Sequence, residues 1–258
     1  MTDCDLGGSG ILVTRATHQS AGLCRLIESR GGRAVALPAL EIEAVRDSEA
    51  AAELLRQSWD CMIFISPNAV QFATSLRAGE RLTAARLGAV GQATAEALRA
   101  AGYRIDLIPD GRYDSEGLLS LPDLQRMEGQ RVLIVRGEGG RTLLADSLRA
   151  RGAKVGYAEV YRRVRPDIDV APLLSRWTET VDLVTATSID VLENLIAMLG
   201  DRGWSLLRQT PLVVISERMR ERAREWGFET ILQAAGADDG SLLAAICDWA
   251  DDAGRRSR

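Results

Sequence analysis

The chain has 258 residues, of which 46% are hydrophobic and 26% are charged, as in an ordinary globular protein. The net charge of -4 gives no electrostatic basis for nucleic-acid binding, and no apolar run approaches the roughly 20 residues that span a bilayer. The single histidine, His18, excludes a multi-histidine metal site, and we predict it to be a solvated residue in the first turn of a helix. We therefore expect no nucleic-acid partner and no membrane partner.

The four cysteines, at positions 4, 24, 61 and 247, have no metal-binding or redox spacing. Cys24 and Cys61 lie among apolar residues, so we predict buried free thiols. This use of cysteine fits a reducing compartment and a cytoplasmic location. Residues 1–10 lack the basic region and apolar core of a signal peptide, and their glycines predict a frayed end.

Short apolar strands alternate with amphipathic helices along nearly the whole chain. The predicted strands are 11–15, 34–45, 61–65, 87–90, 104–108, 131–136, 155–164, 181–185, 212–215 and 229–233. The predicted helices are 18–30, 49–57, 67–77, 92–101, 115–121, 140–151, 189–199, 217–226 and 240–250. This alternation is typical of parallel sheets with helices on both faces, as in Rossmann-like or flavodoxin-like domains.

Residues 11–45 and 132–164 read as copies of each other. Each copy begins with an apolar strand that ends in arginine and continues with an amphipathic helix. The helices end at Arg30-Gly31 and at Arg151-Gly152, and a long extended segment follows each of them. The repeat predicts two similar α/β units.

The two extended segments are long and polar on one face. Acids in the first (Glu41 and Glu43) and arginines in the second (Arg162 and Arg163) suit antiparallel neighbours. We therefore predict two similar parallel-sheet domains joined by a two-stranded antiparallel ladder. Domain 1 would be discontinuous (1–35 and 166–258), domain 2 would be 47–155, and the ladder would be 36–46 and 156–165. A contiguous chain split once near 127–130 is the alternative.

Hydroxyl groups, glycines and arginines follow the strand ends. In open parallel sheets ligands bind at the carboxyl ends of strands, where helix N-termini offer free N–H groups and partial positive charge. Serine and threonine at such junctions are also ordinary helix caps. Together these residues predict a site for an anion with several carboxylates or phosphates. The candidate binding residues are Arg15, Ser66, Asn68, Gly91, Thr94, Arg136, Gly137, Arg141, Thr187, Ser188 and Ser216.

The glycine-rich loop after Arg136 is a weak signal for a nucleotide. Gly137-Glu138-Gly139-Gly140 begins like a dinucleotide fingerprint, but the sixth position is Thr142 and no lysine follows the glycines. Tyr161, on the second extended segment, is a candidate proton donor, and an aromatic ring packed on the ladder is the alternative. Tyr157 would share its face only if the strand pleat is unbroken.

Taken together, these motifs resemble the uroporphyrinogen-III synthase family. The resemblance covers roughly residues 10–250 and depends on the order and spacing of motifs that are weak one by one. They include I-L-V-T-R at 11–15, P-A-L-E-I at 38–42, F-I-S-P-N-A-V at 64–70, A-V-G-Q-A-T at 89–94, S-E-G-L at 115–118, R-G-E-G-G-R at 136–141, V-Y-R-R at 160–163 and V-I-S-E-R at 214–218. The resemblance implies two α/β domains joined by a two-stranded ladder, with the active site in the cleft between them.

The resemblance also implies an activity, that of a lyase. Its substrate would be hydroxymethylbilane, a linear tetrapyrrole with an acetate and a propionate on every ring, which loses water, inverts ring D and closes to a macrocycle. No metal or organic cofactor is implied, and we expect a monomer. Tyr161 matches the tyrosine proposed as the general acid of the family, and Ser66, Thr94, Thr187, Ser188 and Ser216 match cleft positions. A non-catalytic two-domain protein that binds small anions or senses an effector is the alternative, and a nucleotide-dependent transferase is the third possibility.

Overall fold

Parallel strands and helices alternate along the chain in the computed structural model, which describes residues 4–77 and 79–256, and their side chains as far as residue 252. The strands are β1 (Gly10–Val13), β2 (Arg33–Ala36), β3 (Glu41–Ala44), β4 (Trp59–Phe64), β5 (Ala84–Ala89), β6 (Arg131–Gly137), β7 (Lys154–Val164), β8 (Leu183–Thr185), β9 (Leu212–Val214) and β10 (Ile231–Gln233). The helices are α1 (Thr17–Ser29), α2 (Ser48–Arg56), α3 (Pro67–Leu76), α4 (Gln92–Ala100), α5 (Ser115–Leu119), α6 (Leu143–Ala150), α7 (Ala171–Ser175), α8 (Trp177–Thr180), α9 (Ile189–Leu207), α10 (Glu217–Glu225) and α11 (Asp239–Arg256), with a short 3-10 helix at Pro122–Leu124. None of the described helices is long and apolar enough to cross a membrane.

The chain divides into two units, each built on its own five-stranded sheet. Unit 1 combines Met1–Glu41 with Val164–Arg258, and unit 2 is Ile42–Arg163. The sheet of unit 1 has the strand order β10-β9-β8-β1-β2, and all its neighbouring strands are parallel. Its central strands are wholly buried between two apolar clusters, because helices cover both faces.

The second sheet has the strand order β3-β7-β6-β4-β5. The four strands from β7 to β5 are parallel neighbours, and β3 lies at the edge beside β7. One apolar cluster packs the sheet against α2, α3 and α4, and the other packs it against α5 and α6. The predicted α/β class with parallel-dominated sheets is therefore confirmed.

The internal repeat is present as two strand–helix–strand units, β1-α1-β2 and β6-α6-β7. In both, the first strand pairs in parallel with the last. Leu23 and Ile27 of α1 occupy the same positions in the repeat as Leu144 and Leu148 of α6, and all four side chains are buried. Gly31 and Gly152 follow the helix ends with φ of 72° and 90°, the left-handed conformation that ends helices and favours glycine.

The prediction of one continuous strand over 34–45 is wrong. The segment is divided between β2, in the sheet of unit 1, and β3, in the sheet of unit 2. Pro38 lies between them, and proline has no N–H to continue a ladder. Its neighbours Leu37 and Ala39 are buried in the core of unit 1 instead.

Two further expectations need correction. The predicted strand 104–108 contributes only one bridge to the sheet, between Leu107 and Gly88. The short helices α7 and α8 were not predicted.

The N-terminal end is not frayed from residue 4 onward, because Leu6 is buried and Cys4 forms a disulfide with Cys247. This pairing of cysteines was not predicted.

The predictions for single residues agree with the structure except at Cys24. Cys61 is a buried free thiol as predicted, whereas Cys24 is free but only half-buried. His18 is exposed in the first turn of α1, as expected for a solvated histidine.

Candidate functional site

The carboxyl ends of β6, β4 and β5 meet at one edge of the unit 2 sheet, because these strands are parallel neighbours. Ser66 follows β4 and caps α3, and its Oγ accepts the N–H of Ala69 at 3.1 Å. Gly91 follows β5 and occupies the cap position of α4 without a side-chain bond. Two helix starts with free N–H groups therefore lie at this edge.

Tyr161 is fixed beside Ser66. The two hydroxyl oxygens are 3.1 Å apart, and Tyr161 is only 4% exposed. Its ring packs against Phe72 with the centroids 5.9 Å apart. A Cβ at Gly137 would lie 2.5 Å from the tyrosine ring, so the ring requires glycine at that position. The phenol is thus held in one place at the sheet edge.

A register shift carries Tyr161 to this place. β6 and β7 pair regularly as far as Arg136 and Glu159, but the next pair is Gly137 with Tyr161. Such irregularities often redirect side chains near active sites. The pleat is interrupted here, and Tyr157 packs with the cluster on the α5 and α6 side, whereas Tyr161 packs with the cluster on the other face.

A cavity of about 260 Å³ opens next to this tyrosine. Its wall carries three arginines, two tyrosines and the glycine loop. The lining residues are Ile65, Val90, Ser115, Ile134, Arg136, Gly137, Glu138, Gly139, Gly140, Arg141, Leu144, Ala145, Tyr157, Tyr161 and Arg163. A neighbouring cavity of about 370 Å³ carries Asp47, Glu138 and Glu159, carboxylates that would repel a polyanion.

Arg136 shapes the glycine loop from inside. It is 4% exposed, and its guanidinium donates to the carbonyls of Gly137 at 3.1 Å and Arg141 at 3.3 Å. The carboxylate of Glu159 lies 3.8 Å from Arg136 Nε and accepts the N–H of Gly139 at 3.2 Å. The ring of Tyr157 lies 4.9 Å from the guanidinium carbon. Arg136 therefore has a structural task in addition to lining the cavity.

The other candidates of unit 2 occupy different positions. Asn68 is half-buried in the first turn of α3, and Thr94 is buried in the first turn of α4. Asn68, Gly91 and Thr94 are outside the set of described residues that line the cavity. Arg141 is exposed at the end of the glycine loop and does line it. The structure brings together Ser66, Tyr161 and the residues of the β6 loop.

The carboxyl edge of the unit 1 sheet carries the remaining hydroxyl candidates. Ser188 caps α9 by accepting the N–H of Val191 at 3.1 Å, and Ser216 caps α10 by accepting the N–H of Met219 at 3.3 Å. Thr187 is half-buried beside Ser188. Because β8 and β9 are parallel neighbours, these residues lie at adjacent strand ends. Their role in binding an anion stays a prediction.

Arg15 has protein partners that favour a structural role. It is 8% exposed and forms an ion pair with Asp239 at 2.5 Å. The guanidinium also donates to the carbonyl of Ala237. These contacts connect the end of β1 to the start of α11. Substrate binding by Arg15 stays a prediction.

Three charged residues and one serine that line the cavity or hold its loop were not among the predicted site residues: Ser115, Glu138, Glu159 and Arg163. Arg163 lies two positions after Tyr161 on β7, so alternation along that strand was a usable signal for it. Glu159 lies two positions before Tyr161, but the register shift at Gly137 interrupts the pleat between them, so the same signal does not reach Glu159.

The free thiols do not support covalent catalysis. Burial raises the pKa of Cys61 from 9.0 to about 12, and burial, followed by the nearby Glu28 carboxylate, raises the pKa of Cys24. Both thiols are therefore protonated at neutral pH, and a thiol is a much weaker nucleophile than a thiolate. Among the described residues, no three side chains of histidine, cysteine, aspartate or glutamate are grouped as a metal site.

The fold and the unit 2 site define an α/β protein of two parallel-dominated sheets, with a buried phenol beside an arginine-lined cavity. The sequence model of the family described as uroporphyrinogen-III synthase HemD matches residues 22–244. The uroporphyrinogen-III synthase of Salmonella typhimurium is 37% identical over 245 residues, covering 92% of this chain and 99% of that protein. The Escherichia coli enzyme is 35% identical over 251 residues with the same coverage. The chain belongs to the uroporphyrinogen-III synthase family.

Solved structures agree on the fold. A mutant uroporphyrinogen III synthase from Thermus thermophilus superimposes with a TM-score of 0.59 at 19% identity, covering 92% of this chain and 97% of that one. The uroporphyrinogen-III synthetase of Helicobacter pylori gives a TM-score of 0.58 at 14% identity, covering 93% and 99%. At these identities the likeness supports the two-sheet α/β architecture alone.

Proposed function

We propose that this protein is a lyase that converts hydroxymethylbilane to uroporphyrinogen III with loss of water and inversion of ring D. Family membership over residues 22–244 supports the reaction. The structural observation that carries the proposal is the contact between the hydroxyls of Tyr161 and Ser66, 3.1 Å apart, beside a cavity lined by three arginines.

The charge of the cavity wall suits the substrate. Hydroxymethylbilane has an acetate and a propionate on every ring, so it is a polyanion at neutral pH. Arg136, Arg141 and Arg163 outnumber the one carboxylate of the cavity lining, Glu138, and guanidinium groups bind carboxylates through charge-assisted hydrogen bonds. In the first turn of α3, Pro67 has no N–H and the N–H groups of Ala69 and Val70 are bound by Ser66, so the N–H of Asn68 is the donor that remains at this sheet edge.

Tyr161 is the proposed general acid. As the carbon–oxygen bond of the hydroxymethyl group breaks, the phenol donates its proton to the departing oxygen and water leaves. Ser66 Oγ, which already accepts an N–H from Ala69, can donate a hydrogen bond to the phenolate that remains. The substituted carbon of ring D then attacks the methylene cation and forms a spiro intermediate. The older bond from that carbon to the ring C methylene breaks, the free α-carbon of ring D bonds this methylene instead, and the proton that this carbon loses restores the phenol. A positioned acid contributes about 10²–10⁴-fold to such a step.

The connection between the units supports the predicted ladder of 36–46 and 156–165. The chain passes from unit 1 to unit 2 after Glu41 and returns after Arg163, on the neighbouring strands β3 and β7. Glu43 and Arg162 on these strands form an ion pair at 2.8 Å. The antiparallel direction and the active-site cleft stay predictions.

An isomer assay tests the function directly. Purified protein is mixed with hydroxymethylbilane, and the type I and type III products are separated. We expect the type III isomer with natively folded protein. With heat-denatured protein we expect the type I isomer, which forms by spontaneous closure. If the folded protein also yields only type I, the proposed function is wrong.

A further inference from the structure

Four large hydrophobic side chains stand out as exposed among the described residues: Ile65 (36%), Tyr113 (53%), Leu143 (40%) and Ile168 (38%). Three of the four lie at the carboxyl edge of the unit 2 sheet. Ile65 directly follows β4, and Leu143 begins α6 after the β6 loop. Tyr113 packs next to Gly91, which follows β5, since a Cβ at Gly91 would lie 3.5 Å from the tyrosine Cβ. Adjacent strands β6, β4 and β5 therefore place the three side chains along one edge.

Ile65 is part of the wall of the arginine-lined cavity, and the other two residues lie next to wall residues along the chain. Leu143 lies between the lining residues Arg141 and Leu144. Tyr113 is two residues from the lining residue Ser115 and packs next to Gly91, which follows the lining residue Val90. We call Ile65, Tyr113 and Leu143 the apolar rim of this charged cavity.

Tyr113 is held out to solvent by a rigid turn. Its two neighbours form an ion pair, with Arg112 Nε 2.6 Å from Asp114 Oδ2. Asp114 also caps α5 by accepting the N–H of Gly117 at 2.8 Å. The chain is so tight here that a Cβ at Gly117 would collide with the carbonyl of Arg112. The backbone that carries the exposed ring is therefore fixed, which lowers the entropic cost of binding a ligand against it.

We propose that the apolar rim binds the flat faces of the pyrrole rings, while the cavity arginines bind their peripheral carboxylates. The inference rests on the proposed function and assigns binding residues that family membership does not assign. A polycarboxylated tetrapyrrole matches both chemistries, because its ring faces are apolar and its edges are charged. Covering exposed apolar side chains is favourable, and such patches commonly mark binding sites.

Truncation of the rim tests the inference. We expect Tyr113→Ala and Leu143→Ser each to raise KM for hydroxymethylbilane by about tenfold, with kcat within about threefold of the wild type. Tyr113→Phe keeps the ring and should keep the wild-type KM. Ile168→Ser is the matched control for Leu143→Ser, because Ile168 is about as exposed as Leu143 but belongs to unit 1. Its KM should not change.

The affinity for uroporphyrinogen III, measured by equilibrium dialysis under anaerobic conditions, gives a second readout that needs no turnover. It should fall by a similar factor in the two truncated variants and stay unchanged in the control. Unchanged KM and unchanged product affinity in both truncated variants would contradict the proposal that the apolar rim binds the pyrrole rings. That result is distinct from failure of the proposed function, which appears as a type I product from the wild-type protein.

Discussion

Three neighbours hold the phenol of Tyr161: the hydroxyl of Ser66, the ring of Phe72 and the backbone at Gly137. The first contact is polar, and the other two exclude water and alternative rotamers. These contacts hold the hydroxyl in one place, as a proton donor requires, and they would hold a packed aromatic ring in the same way.

Replacement of Tyr161 by phenylalanine separates these roles. We expect the rate of type III formation to fall by about 10² or more, because the proton donor is lost. The free energy of unfolding should fall by only about 1 kcal/mol, the usual value of one hydrogen bond, since Ser66 still caps α3. Single-turnover assays and urea unfolding measure the two effects.

Tyr103→Phe is the control for this prediction. The hydroxyl of Tyr103 also makes one hydrogen bond in unit 2, accepting the N–H of Leu82 at 3.3 Å, but it lies outside the cavity wall. The rate of type III formation by Tyr103→Phe should remain that of the wild type. Wild-type turnover by Tyr161→Phe would remove Tyr161 from the proposed mechanism.

The buried thiol of Cys61 makes the free energy of unfolding depend on pH in the alkaline range. Burial raises the pKa of its thiol from 9.0 to about 12, so between these values the unfolded state binds fewer protons than the folded state. The contribution of Cys61 to stability is therefore fully present below about pH 9 and is lost as the pH rises towards 12. In urea unfolding, Cys61→Ala should be less stable at pH 8 but lose less stability than the wild type between pH 9 and 11. Equal losses would contradict the prediction.

The helices α3, α9 and α10 begin with the same kind of N-cap. Each has a serine cap in an extended conformation, with φ between -159° and -156°, whose oxygen accepts the N–H three residues later. Capping alone accounts for the serine at each junction. It leaves other N–H groups of the first turn free to meet an anion.

Two substitutions of Ser188 distinguish capping from anion binding. Ser188→Ala should lower the free energy of unfolding by about 1 kcal/mol, because the cap is lost. Ser188→Asp keeps a good cap and should keep stability, but it places a negative charge at the predicted anion site. We therefore expect a raised KM for hydroxymethylbilane in Ser188→Asp. A wild-type KM in that variant would mean that the substrate carboxylates do not approach the start of α9.

The two units differ in how they depend on chain continuity. The sheet of unit 2 and both its apolar clusters come from one stretch, Ile42–Arg163. In unit 1 the central strand β1 comes from the N-terminal stretch and pairs with β8 from the C-terminal stretch, Ile11 with Leu183. Unit 2 can therefore form its core without the rest of the chain. Neither of the two stretches of unit 1 can form the core of that unit alone.

Fragments test this difference. We expect residues 42–163, expressed alone, to show a cooperative thermal transition and dispersed amide resonances, because the fragment contains a complete sheet and core. Residues 164–258 alone should lack both, since β8 would have no β1 and the buried side chains would face water. A cooperative transition in the second fragment, or its absence in the first, would contradict this account.

Local patterns were sufficient for much of the fold. Apolar spacing and the glycines after α1 and α6 predicted most helices and strands, because these signals act within a few residues. The cap at Ser66 was predictable for the same reason, as its bond to Ala69 spans three residues. The family resemblance added the expected role of Tyr161, which the residue pattern alone left open between proton donor and packed ring.

By itself, the sequence determined the α/β class, the repeat and the caps, since each depends on side chains and backbone groups that are neighbours along the chain. Only the tertiary structure decided how the 34–45 segment divides between two sheets and how Cys4 pairs with Cys247, 243 positions away. It also decided that Tyr161 meets Ser66, 95 positions away, and that Arg15 meets Asp239, 224 positions away. The contacts of Cys4 and Arg15 depend on how the two stretches of unit 1 pack together, and the contact of Tyr161 depends on the strand order and the register shift in the sheet of unit 2. Residues far apart along the chain set each of them, so no local pattern encodes them.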